Sequence, residues 1–579
     1  MKKLICCILS AVIVMSIVAC TSKPTATPDN ISVTSLSEYT IVYPSTYKDW
    51  QMTEVNLLRD VIEHLTGKKL DVIPDTQPEV AHEIIFASSK RKTSLDDKIA
   101  AFTGKMDYAV AVDGKNIVLG GQNYYSDMRA AYDFINNYLG YDDIEDKYSE
   151  PSKKIQGISE NIWKEPEFYI MGSNFSCASF DKTWQIRDFV DCNFNLLHIQ
   201  QNAYKSDEDV RNVATWCARF GIELFLYPNT DSDAKQVTIP CEDDLIENPA
   251  MWGLYVIDEP YTEEQNEFYS VVSNNTKERF DRYGWNICVN TVFSTANQNA
   301  PNEFDSETGE WLDENTIAWK KYYSDLSVLS FDMYPYQSKF KWRERYVCLA
   351  LEQSAGLAKE CNQDLFIYID AYDLVNRGYC DKMFRTHSYL LLSFGVKGIE
   401  YFQYGDASPF YDREGDWTKG SLVNWDYTKN KYWYDAQKVN AELKKLMPVY
   451  GRYENKGAYV INKKEGDNVT YMHNPYEDFG VIEDVDDSLA EATFGESPTY
   501  VVGCFEAKDG NGKAFTLVNM DELNDNSYGS DFSFPVRLKI NGSKVTCYKN
   551  GEPTIMQPDA DGYYSFSMPN GECVFVTVE

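Results

Sequence analysis

Eight alternations of an apolar strand-like run with a helical pattern, spread over roughly 285 residues, predict a multidomain α/β protein built on a TIM (β/α)8 barrel. Strand, helix and hairpin signals ahead of that region predict a small N-terminal α+β domain. A change to short alternating strands after Tyr450 predicts a C-terminal β-sandwich. In residue numbers the expected plan is a signal peptide over 1–20, a flexible tether over 21–36, the α+β domain over 37–158, the barrel over 165–450 and the sandwich over 452–579. A chain of 579 residues that is 43% hydrophobic and 14% aromatic has material for several large cores and is not a disordered polymer.

The N-terminus reads as an export signal. Lys2 and Lys3 precede an apolar run from Leu4 to Val18, too short to prefer a transmembrane helix of about 20 residues. The run ends in Ile17-Val18-Ala19-Cys20, which resembles a bacterial lipobox; that resemblance implies lipid on Cys20, a membrane anchor and an extracytoplasmic location. Residues Thr21 to Asn30 are polar and Pro-containing, the composition of a tether. A formal net charge of −34 argues against nucleic-acid backbones and anionic membrane surfaces as partners. The cysteines beyond the signal, among them Cys192, Cys217, Cys288 and Cys348, show no C-x-x-C pair or regular spacing. Most are expected to be small buried hydrophobes, and the set is expected to form neither a disulfide framework nor a zinc site.

The first folded region opens with the strand-like Tyr39-Thr40-Ile41-Val42-Tyr43. A helix follows with Leu57, Val61, Ile62 and Leu65 spaced for one face and Gly67 as its stop. Strands Leu70–Ile73 and Glu83–Ala87 come next. Then Tyr108–Val112 and Asn116–Gly120 are joined by Asp113-Gly114, a hairpin turn dipeptide, ahead of a helix from Tyr125 to Leu139. This element order, with Gly120-Gly121 after the hairpin, is similar to the domain that precedes the barrel in glycoside hydrolase families 20 and 67.

The eight barrel strands are expected at Phe168–Ser173, Asn195–Gln200, Ile222–Tyr227, Gly253–Asp258, Trp285–Thr291, Val328–Met333, Leu365–Asp370 and Gly398–Tyr404. Helical patterns between them include Glu208–Phe220, Glu263–Tyr283, Trp342–Cys361 and Met383–Phe394. A doubly wound fold also alternates, but no Gly-rich phosphate loop follows the first strand. Turns at Asp509-Gly510, Asn541-Gly542 and Asn550-Gly551 punctuate the sandwich.

Barrel enzymes carry their reactive groups at the C-terminal ends of the strands. Strand four, Trp252 to Pro260, is an apolar run that stops abruptly at Asp258-Glu259-Pro260, and Thr262 with Gln265 forms a capping box for the next helix. Acids near a helix start are favoured by its dipole without any function, yet both of these precede the cap at the chemical face. The segment resembles the strand-four signature of clan A glycoside hydrolases, in which a Glu before Pro is the acid/base. The resemblance implies that Glu259 protonates the departing glycosidic oxygen and later activates water. Asp258 stands where the clan usually has Asn, and strand seven carries no Glu for the nucleophile. Asp370, Asp373, Asp332 and Asp406 are the candidates for a second carboxylate, and the sequence does not choose among them. Asp258-Glu259 also resembles the strand-four pair of family 20 hexosaminidases, which implies a second mechanism: Asp258 orients the substrate's acetamido group, which attacks while Glu259 acts as acid.

Sugars pack on aromatic faces and hydrogen-bond through hydroxyls. Tyr334, Tyr336, Tyr372, Tyr401 and Tyr404, with Trp417 and Trp425, are therefore candidate platforms. Gln200, Asn229, Asn290, Gln403 and Asp406 are candidate polar contacts, as is His198 if it points into the barrel. No H-E-x-x-H or carboxylate cage calls for a metal, and no G-x-S-x-G elbow for a serine hydrolase, so no cofactor is expected. The function expected is hydrolysis of extracellular oligo- or polysaccharide; the competing class is an inactive barrel that only binds glycans.

Overall fold

The structure, a computed structural model, describes residues 31–152, 155, 157–174, 180–200, 204, 206–291, 304–305, 310–334, 347–371, 380–405, 421–424, 426–462, 479–494, 497–520, 533–569 and 571–579. The chain divides into two compact units, the second beginning at Glu165.

In the first unit, Thr40–Tyr43 lies between Asp71–Pro74 and Glu83–Phe86, all parallel. Asn116–Gly120 extends the parallel set, and Tyr108–Asp113 folds back on it as an antiparallel hairpin whose Gly114 takes φ 61°. Ile158–Asn161 adds the last strand. The helix Thr53–Thr66 buries Val55, Leu58, Val61 and Ile62 against sheet residues such as Ile41, Ile84 and Leu119. The expected tether gives way earlier than its composition suggests. Ile31 pairs with Ile155, and a 3-10 turn over Val33–Glu38 buries Leu36 completely, because Ile31, Val33 and Leu36 supply apolar surface that docks on the core of this unit.

In the second unit, eight parallel strands close into a TIM barrel: Tyr169–Asn174, Leu196–Ile199, Glu223–Leu226, Met251–Ile257, Asn286–Thr291, Val328–Asp332, Asp364–Asp370 and Gly398–Phe402. They are called strands one to eight below. Large side chains fill the interior, including Tyr169, Met171, Phe225, Trp252, Tyr255, Phe366, Tyr368 and Phe402, so the barrel is a packed core, not a pore. Strands five and six are separated by a two-stranded ribbon, Phe304–Asp305 with Glu310–Trp311, and by a helix over Glu314–Tyr322.

After the long helix Lys431–Tyr450, a six-stranded and a three-stranded antiparallel sheet share one apolar core. Val502, Phe515, Leu517 and Val576 of one sheet meet Val536, Leu538, Phe566 and Met568 of the other. This layer packs on the barrel helix Asp381–Ser393. Ser393 Oγ and Thr516 Oγ1 are 2.7 Å apart, and Asn455 Nδ2 donates to Ser393 O at 2.9 Å. Gly503 makes the approach possible, since a Cβ there would stand 2.5 Å from the Ser393 backbone.

Candidate active site

Strand four carries a register shift against strand five between Tyr255 and Ile257. The extra residue re-aims the end of the strand, as bulges beside sites commonly do. Asp258 and Glu259 follow at the mouth, both half-buried, and Pro260 ends the pairing. Beyond them, Thr262 Oγ1 accepts from Gln265 N at 3.1 Å, while Gln265 Oε1 accepts the N–H groups of Tyr261 and Thr262. The helix Glu263–Phe280 therefore starts at a fixed place. Glu259 sits in the left-handed region with φ 45°, uncommon for a residue with a Cβ, and its N–H donates to Asn290 O at 3.2 Å.

Asn290, next to last on strand five and fully buried, is the centre of the site. Its Nδ2 donates to Asp258 Oδ1 at 3.0 Å and to Asp332 Oδ1 at 2.7 Å, and its Oδ1 accepts from Ser330 Oγ at 2.8 Å. Asp258 also accepts from Tyr255 Oη at 2.7 Å. Asp332 is the last residue of strand six and keeps slight solvent contact, yet it is enclosed by protein. Burial first, then the charges of Asp258 and Glu259, hold its carboxyl well above the usual range against opposing hydrogen bonds from Asn290 and Tyr334. Tyr255 and Tyr368 have their phenols pushed up, mainly by burial.

One layer deeper, His198 Nδ1 lies 2.6 Å from Glu400 Oε1 and 3.4 Å from Tyr368 Oη, all buried. The His198 ring packs against Phe225 and Tyr255. Burial raises the Glu400 carboxyl and His198 opposes the rise. Thus His198 points into the barrel, but as half of an internal pair.

The structure therefore brings together Asp258, Glu259, Asn290, Asp332 and Tyr334, whose ring lies 5.5 Å from Phe402. Asp370 ends strand seven fully buried, and Gln403 is fully buried after the cis Phe402–Gln403 peptide. Gln200 is half-buried just past strand two. Three expected platform or contact residues stand elsewhere. Tyr401 faces outward, its Oη donating to Asn440 Oδ1 at 2.7 Å and its ring against Phe194 and Phe384. Glu400 and Phe402 take the inward positions of that alternating strand. Tyr404 is buried among Phe180, Phe189 and Phe194. Asn229 is not a strand-three end: that strand stops at Leu226, and Asn229 is exposed on a separate ribbon paired with Gln236–Thr238. Cys20, Tyr336, Tyr372, Asp373, Asp406, Trp417 and Trp425 lie outside the described residues. Sequence reasoning missed Tyr255, Ser330, Tyr368 and Glu400. For Glu400 a signal existed: one carboxylate inside Gly-Ile-Glu-Tyr-Phe, an otherwise apolar strand.

No family model matches the chain, and a search of curated proteins finds no match. Solved structures with a similar fold include a GH42 β-galactosidase from G. stearothermophilus, 10% identical, covering 72% of this chain and 98% of that one with a TM-score of 0.42. A GH30 endoxylanase from Clostridium papyrosolvens C71 is 10% identical, covers 72% and 97%, and has a TM-score of 0.37. An endo-β-1,4-mannanase from Thermotoga petrophila is 11% identical, covers 70% and 92%, and has a TM-score of 0.34. Each is a distant likeness.

Proposed function

We propose that the protein hydrolyses glycosidic bonds of extracellular oligo- or polysaccharides, with Glu259 as general acid/base. The observation that carries this reading is the pair of acids at the barrel mouth, Asp258 and Glu259, both tied to Asn290. Breaking an acetal needs a proton delivered to the leaving oxygen and negative charge facing the cationic sugar that develops. Glu259, half-buried and rigidly placed between a bulge and a capped helix, supplies the first; Asp258 beside it supplies the second. Once the leaving sugar departs, the Glu259 carboxylate takes a proton from the water that completes hydrolysis.

The test is incubation of the purified protein and its Glu259→Gln variant with plant, host and bacterial glycans, 2-acetamido sugars included, in heavy-oxygen water. Turnover by the parent, reduced about a hundredfold or more in the variant, is expected. Binding without cleavage in both forms would replace this reading with a glycan-binding barrel. The reading includes an extracytoplasmic position, with the chain held to the membrane by lipid on Cys20. In that case Cys20→Ser moves the protein from the membrane to the soluble fraction, and an unchanged distribution would rule the anchor out.

A further inference from the structure

Asn290 spends both hydrogens of one nitrogen on two different carboxylates, at 3.0 and 2.7 Å, and its oxygen is occupied by Ser330. The amide is therefore fixed in orientation, and the two carboxylate oxygens it serves stand less than about 6 Å apart. Among the described residues, Asn290, Tyr255 and Tyr334 donate to this pair, and all three are neutral groups. Among the described residues no Lys or Arg pairs with either acid. Two carboxylates so close, half-buried and served among the described residues by neutral donors, disfavour a second negative charge, and Asp332 is the one whose carboxyl is held up. Among the described residues, the titratable groups facing Asp332 are Tyr255 of strand four, Asp258 and Glu259 just after it, Tyr334 beyond strand six and Tyr368 from strand seven. Each, when charged, is an anion, so all of them favour a proton on Asp332.

We propose that Asp332 is a positioning residue that works as a neutral acid, anchoring the Asn290 amide so that Asp258 carries the only negative charge of the pair beside Glu259. The inference rests on the hydrolase reading for its meaning in turnover, but not for its chemistry. A nucleophilic or proton-donating Asp332 would be lost with its carboxyl; a neutral anchor is replaced by an amide. Asp332→Asn is thus expected to keep kcat/KM within about tenfold of the parent, whereas Asp332→Leu, which removes the second acceptor of Asn290, lowers kcat about a hundredfold with KM little changed. The alkaline limb of the parent pH profile should move upward in Asp332→Asn, because that variant has no proton to lose there. Infrared difference spectra at neutral pH supply a reading that needs no substrate: the parent shows a protonated-carboxyl C=O stretch that Asp332→Asn lacks. Absence of that band, or an Asp332→Asn variant as inactive as Glu259→Gln, overturns the proposal. A band present in a protein that cleaves no glycan upholds the protonated pair and removes only the hydrolase reading.

Discussion

Glu259 pairs an unfavourable backbone with a favourable position. Its φ of 45° precedes a proline, which restricts the preceding residue further toward extended conformations. The left-handed region costs a residue with a Cβ roughly 1–2 kcal/mol, and glycine is largely free of that cost. Glu259→Gly is therefore expected to raise stability by about 1 kcal/mol in urea unfolding while abolishing turnover; Glu259→Gln, which keeps the Cβ, should lose turnover without that gain. A Gly variant no more stable than the Gln variant would mean that the conformation carries no strain. At this scale the sequence was legible where chemistry is local. Asp258-Glu259-Pro260 could be singled out because an apolar strand ends there in two acids. Asn290 could be named only as a polar end of strand five; its pairing with both acids could not be read, because it lies 32 residues from Asp258 and 42 from Asp332 and its role is set by which strands become neighbours.

Among the elements, alternation and capping account for what was readable. The capping box at Thr262 and the eight strand positions follow from patterns a few residues long. Which side of a strand faces inward is a register question, and in strand eight it turned Tyr401 away from the mouth and Glu400 toward the interior. The helix Asp381–Ser393, clasped between barrel and sandwich, is joined to the helix Lys431–Tyr450 by a buried two-pronged pair: Arg385 Nε to Glu442 Oε2 at 2.8 Å and Arg385 Nη2 to Glu442 Oε1 at 2.7 Å. Removing one partner leaves a buried charge, so Arg385→Met should cost about 3–5 kcal/mol, while Arg385→Met with Glu442→Leu should recover most of it. Denaturant midpoints of the single and double variants measure this; a double variant as unstable as the single one would show that packing, not the stranded charge, dominates.

Across the whole molecule, the same helix makes stability depend on pH. His387 is buried, and burial lowers its imidazole from the ordinary value to about 3. The unfolded chain takes up a proton from about pH 6.5 downward, whereas the folded one does not. The contribution of His387 is thus fully present above about 6.5 and is lost as pH falls toward 3, at up to about 1.4 kcal/mol per pH unit. Asp332 and Glu400, whose carboxyls burial raises, act in the opposite direction, so the test is the difference: between pH 7 and 5 the stability of the parent relative to His387→Gln, read by urea unfolding, should fall by up to about 1.4 kcal/mol per pH unit as pH drops. Equal slopes would assign the dependence to other groups.

By itself the sequence determined the eightfold alternation, the place where strand four meets two acids, and the change to antiparallel strands after the barrel. Each is written in contacts between residues near one another along the chain. Only the tertiary structure decided that Asn290 gathers Asp258, Glu259 and Asp332, and that His198 is paired with Glu400, 202 residues away. Closing a barrel makes neighbours of strands one and eight and points alternate residues into a shared interior, and no local pattern states which of those residues will meet.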